Sequence, residues 1–115
     1  MSGISPLQRS KKLLEEEGFL VAKVEKWNPW GKVRQDLFGI LDLLCVDKHS
    51  SGGKSRFDTD TLGVQVTTLA HKQEHIDKMI ASPALAILKK AGWCVELHSW
   101  RKLKKSGWTV DIEEL

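Results

Sequence analysis

The chain has 115 residues, 41% hydrophobic and 29% charged, with a formal net charge of +3. That length and balance describe one globular domain able to bury a core without disulfide staples, and they argue against disorder except locally. No apolar run approaches the roughly 20 residues that a membrane-spanning helix needs, and the first residues carry a charged helical pattern in place of a signal-peptide core, so a cytoplasmic protein is expected.

Ser5-Pro6-Leu7-Gln8 is a helix start, with Ser as N-cap, Pro at the first helical position and Gln three residues after the cap; Gly18 ends the helix. Residues 19–26 are rich in apolar and β-branched residues and read as strand one. Trp27-Asn28-Pro29-Trp30-Gly31 follows as a turn, and residues 38–46 read as strand two. Residues 47–56, rich in Gly, Ser and charge, form a loop expected to be mobile.

Strand three covers residues 62–67, with Thr67 or Thr68 capping a helix apolar at Leu69, Ile76, Met79 and Ile80. Ser82-Pro83 starts another helix, apolar at Ala84, Leu85, Ile87, Leu88 and Ala91, and Gly92 stops it. Residues 93–100 alternate as strand four, and residues 108–112 form a short fifth strand beyond a basic turn. The two helices can return strand four parallel to strand three. Cys45 and Cys94 both fall in strands, where free thiols act as small apolar side chains.

Asp42 stands inside the apolar run of strand two. An isolated buried carboxylate is costly unless paired, and a divalent cation is one partner. The plainer alternative is a carboxylate that caps a bend or pairs with a lysine. On strand three, Gly63, Gln65 and Thr67 share one face while Leu62, Val64 and Val66 share the other. A register that brings Asp42 beside Gln65 sets the carboxylate, the Gln65 amide oxygen and the Val66 carbonyl as hard oxygen ligands for Mg²⁺, with helix-terminal amides just beyond for a phosphate.

Glu17 to Val21, Asp36 to Asp42 and Gly63 to Thr67, in that order behind an N-terminal helix, resemble the PD-(D/E)XK nuclease superfamily, in particular its small Holliday-junction-resolvase-like and phage-encoded members. The resemblance covers nearly the whole chain. It implies an α/β, restriction-endonuclease-like domain over residues 1–115, a mixed central sheet flanked by helices in the order α-β-β-β-α-α-β-β. It also implies hydrolysis of DNA phosphodiesters with Mg²⁺ or Mn²⁺, Asp42 as first metal ligand and Gln65 in the place of the second acidic ligand, and a homodimer as a common assembly. Gln65 stands where the family usually has a carboxylate and Thr67 where it usually has lysine. Asp36, if the preceding loop folds over the site, and Lys72, one turn into the following helix, are the expected substitutes.

Arg34 and the basic turn Arg101, Lys102, Lys104 and Lys105 are candidate phosphate contacts, a solvated hairpin being the ordinary reading of such a turn. His71 and His75 have a zinc-compatible spacing but lack the HExxH pattern and a third ligand. Trp27, Trp30 and Trp108 lie near turns, where packing at the core edge is favoured over base stacking. A catalytically silent nucleic-acid-binding module with the same fold is the alternative function, and a protein-interaction domain would show no salt-dependent DNA binding.

Overall fold

The ends of the first helix are set locally. Ser5 Oγ accepts the Gln8 N–H at 3.2 Å and Gln8 Oε1 accepts the Ser5 N–H at 3.0 Å, so a reciprocal capping box starts α1 (Pro6–Glu16). Gly18, at φ 102°, then turns the chain into β1 (Phe19–Lys23). The structure, a computed structural model, describes residues 4–47, 61–105 and 107–115. Most of the expected loop at 47–56 and Ser106 in the basic turn therefore lie outside the described residues.

A small hairpin follows β1, with β2 (Lys26–Asn28) paired antiparallel to β3 (Val33–Gln35). The chain then makes a tight turn closed by a Leu37–Leu41 bridge before β4 (Leu43–Asp47). This corrects the single strand expected over 38–46. Phe38 and Gly39 both adopt positive φ, 55° and 76°, a conformation a strand cannot contain and that few residues other than Gly take readily.

β5 (Thr61–Thr68) runs into a 3₁₀ turn (Leu69–His71), α2 (Lys72–Ala81) and α3 (Pro83–Lys90). Ser82 Oγ accepts the Ala84 N–H and caps α3. Thr68 precedes the 3₁₀ turn without making a side-chain cap. β6 (Cys94–Leu103) and β7 (Gly107–Glu114), both longer than the sequence suggests, complete the chain.

The result is an α/β fold with a five-stranded mixed sheet in the order β1-β4-β5-β6-β7. β5 and β6 are parallel, as the intervening helices require, and the other neighbours are antiparallel. One apolar cluster joins Leu14 of α1 to Val21, Leu43, Leu62, Val64 and Cys94. A second joins Ile40 and Leu41 to Ile76, Met79, Leu85, Leu88 and Leu97. The alternation read from strand three is thus realised, with Leu62 and Val64 packed under α1.

The helical stripes are narrower than their sequences suggest. Ile76 and Met79 are buried in α2, and Leu85 and Leu88 in α3, while Leu69, Ile80 and Ile87 are exposed. Cys45 and Cys94 are buried and form no disulfide, and burial, with Glu114 beside it, pushes the Cys94 thiol up to about 12. Among the described residues no helix is long and apolar enough to cross a membrane.

Gly63 marks a close approach. A Cβ at this position would lie 2.6 Å and 2.9 Å from the two Leu41 methyl groups, and Leu41 is fully buried in the second cluster. Gly63→Ala should displace Leu41 and destabilise the fold by about 1–3 kcal/mol, the usual cost of an overpacked core. Denaturant titration reads that loss as a lower midpoint with unchanged slope.

Candidate metal centre

Asp42 leaves the turn just before β4 and is pulled to the neighbouring strand. Its backbone N–H donates to the Val64 carbonyl at 2.8 Å, extending the register that pairs Leu43 with Val64. Asp42 therefore falls opposite Gln65, the register expected from the sequence. Gln65 Nε2 donates to Asp42 Oδ2 at 2.6 Å, and the Val66 N–H donates to the same oxygen at 2.8 Å.

Two more carboxylates converge here. Glu25 follows β1 and Asp36 follows β3, so the hairpin between them closes their backbone positions together. One ligand oxygen from each of Glu25, Asp36 and Asp42 lies within 4.8 Å of the others. These residues can hold a metal ion. Asp36 takes the place over the site that the sequence allowed it, and Glu25 was missed. Its one sequence signal is that no other acidic residue lies between Glu17 and Asp36.

Asp42 is 4% exposed. Burial pushes its carboxyl from 3.8 up to about 8; the charges of Asp36 and Glu25 and a hydrogen bond with Asp36 act the same way, and the Val66 N–H opposes them. Near neutral pH Asp42 thus carries a proton in the metal-free protein. Its Oδ2 already accepts two N–H donors, which leaves Oδ1 for that proton. A divalent cation bound by the three carboxylates would replace it as the neutralising charge.

The donor set suits a hard cation: three carboxylates, with the Gln65 amide against one of them. Gln65 is 2% exposed, and its Oε1 is buried with no hydrogen-bond partner. A half-turn of the amide exchanges Oε1 with Nε2 and offers the oxygen on the side of Asp42. The orphaned atom is thereby the one that a cation would recruit. Val66 contributes its N–H to Asp42.

Asp42 opens on a cleft of about 730 Å³ whose walls include Ser5, Gln8 and Lys11 of α1 and its cap, Lys23 at the end of β1, Glu25 beyond it, and Val66, Thr67 and Thr68 of β5. Thr67 thus reaches the site. Lys72 does not; its ammonium lies 3.5 Å from Glu113 of β7. The lysines that line the cleft are Lys11, paired with Glu15 at 2.9 Å, and Lys23, 3.8 Å from Glu25. Lys78 of α2 approaches Asp36 Oδ2 from another side at 3.5 Å.

The remaining expectations are placed as follows. Arg101, Lys102, Lys104 and Lys105 are exposed on the β6–β7 hairpin, beyond the Thr68–Trp100 pair and so at the same end of the sheet as the cleft. Arg34 lies in β3, and its side chain is outside the described residues. His71 contacts Glu74 and His75 contacts the His71 carbonyl, both apart from the carboxylates.

A second polar constellation could be mistaken for a nucleophile triad. Ser10 Oγ lies 2.9 Å from His98 Nδ1, and His98 Nε2 lies 3.0 Å from Glu96 Oε1. Yet Ser10 and His98 are 0% exposed, and Ser10 Oγ also accepts the Trp100 Nε1–H at 2.8 Å. No substrate can reach that hydroxyl. The network instead fixes α1 to β6.

Comparison of the chain with protein-family models, with curated proteins and with solved structures finds no match.

Proposed function

We propose that this protein is a metal-dependent nuclease of the PD-(D/E)XK type that hydrolyses phosphodiester bonds in DNA. The observation that carries the reading is the convergence of Glu25, Asp36 and Asp42, from three separate segments, beside a cleft that also takes in Thr67. The element order supports it: α1, then the antiparallel β1, β4 and β5, then α2 and α3, then β6 parallel to β5 and the closing β7. That order, with the β2–β3 hairpin added, is compatible with the restriction-endonuclease-like topology which the sequence resemblance implies.

Glu25, Asp36 and Asp42, joined by Gln65, hold Mg²⁺ or Mn²⁺ in this reading. When bound, the ion supplies positive charge to the scissile phosphate and makes a water more acidic. The residues around it do the rest. The Val66 N–H orients the Asp42 carboxylate. Lys11 and Lys23 bring positive charge to the cleft in which Thr67 replaces the usual lysine. The basic β6–β7 turn extends that charge along a polyanion.

The neutral Gln65 and Thr67 favour one other reading, a module that binds nucleic acid and has lost the chemistry. Calorimetric titration with Mg²⁺ and Mn²⁺, together with cleavage assays on branched and linear DNA, separates the two. Metal binding with metal-dependent cleavage is expected. Salt-dependent DNA binding without cleavage would establish the silent module, and no metal binding would remove the nuclease reading.

A further inference from the structure

The β2–β3 hairpin is not absorbed by the metal centre, although Glu25 and Asp36 close its base. Its sequence, residues 26–35, contains Lys26, Lys32 and Arg34 and no acidic residue. It forms a separate two-stranded sheet and presents apolar surface to solvent: Trp27 is 56%, Val33 51% and Trp30 95% exposed. The core-edge packing expected of Trp27 and Trp30 is therefore corrected. Trp108 is exposed as well, at 39%, with the Arg9 guanidinium 4.8 Å from its ring centroid.

An indole left almost wholly in water forgoes a large burial gain, so its exposure is informative when the backbone beneath it is held. Here it is held. Asn28 Oδ1 accepts the N–H of Trp30 at 3.0 Å and of Gly31 at 3.3 Å, which fixes the tip without tying down the ring.

We infer that this hairpin is a nucleic-acid-engaging arm, on which Trp30 stacks against an unpaired base of the DNA whose backbone is bound at the metal centre. The inference rests on the nuclease reading for its anchor, since Glu25 and Asp36 end the two strands of the arm. Extended chain rises about 3.3 Å per residue, so the tip stands about 15 Å from the carboxylates, or about four base steps along a strand. In continuous duplex the base faces at that distance are stacked on each other and closed to an indole. Unpaired bases beside a branch or in a single strand offer a free π-face, and stacking tolerates any sequence. Lys26 and Lys32 give the arm positive charge for the phosphates on either side. The substrate class is thus DNA with an unpaired segment close to the cleaved bond.

The test compares the wild-type chain, Trp30→Ala and Trp30→Phe by fluorescence anisotropy with Ca²⁺ in place of Mg²⁺, so that a cation is available to the carboxylates. The probes are a labelled single-stranded oligonucleotide, the same sequence as blunt duplex, and a duplex carrying an unpaired flap. Trp30→Ala should weaken single-strand and flap binding by about tenfold and leave blunt-duplex binding unchanged, with Trp30→Phe recovering most of the loss. Unchanged binding, an equal loss on blunt duplex, or no binding by the wild type would overturn the arm. Cleavage of the flap substrate in Mg²⁺ is read in parallel. A wild type that cleaves while Trp30→Ala binds normally removes the arm and keeps the nuclease; selective loss of binding without any cleavage keeps the arm and removes the nuclease.

Discussion

Asp42→Asn is expected to lose metal-dependent cleavage by at least about a hundredfold, a scale that even the outer partners of a metal site can reach. The fold should survive. The Asn Oδ1 can accept the Gln65 Nε2–H and the Val66 N–H that Asp42 Oδ2 now accepts, and its Nδ2 can donate to Asp36 as the protonated carboxyl does. The substitution thus copies the metal-free protonated state while removing the ability to ionise. Calorimetry with Mg²⁺, cleavage of branched DNA and a thermal melt in EDTA check the three parts. A variant that melts with the wild type and cleaves at its rate would take Asp42 out of the mechanism.

Removing the metal should make stability depend on pH in a defined direction. Asp42 is raised in the fold from 3.8 to about 8, so across that window the folded protein holds a proton that the unfolded chain has released. The contribution of Asp42 to stability in EDTA should therefore be full below about pH 4, fall as pH rises, and be lost above about 8. Mg²⁺ binding reverses the relation, because the cation must displace the same proton. Its affinity should climb by up to about tenfold per pH unit and flatten above about 8. Asp42→Asn should remove this contribution to both profiles. Mg²⁺ affinity that stays flat from about pH 6 to about pH 8 would mean that Asp42 is not the proton released.

The site is part local and part distant in origin. Asp42 and Gln65 could be paired from the sequence because alternation fixes which strand residues share a face, and the small Gly63 leaves room for Leu41 beside them. Glu25 could not, since its approach to Asp36 depends on the β2–β3 hairpin, which reads locally as a turn with two tryptophans. Lys72 is a matched failure. Helical spacing put it near β5, but β7 at the sheet edge supplies Glu113, and the ammonium goes there.

By itself the sequence determined the elements whose causes lie within a few residues. The Ser5–Gln8 box starts α1, Ser82 and Pro83 start α3, and the apolar runs of β5 and β6 with two helices between them give the parallel pair. Tertiary structure decided what depends on neighbours distant in the chain. The run over 38–46 breaks at Phe38 and Gly39 because the Leu37–Leu41 bridge and the burial of Ile40 and Leu41 against α2 and α3 outweigh its strand propensity. Ile80 and Ile87 stay exposed because one helical face meets the sheet and the other meets water. The three carboxylates meet because folding brings their chain segments together; local propensity carries no record of that approach, and only the carboxyl of Asp42 inside an apolar run, in need of a partner, announced it.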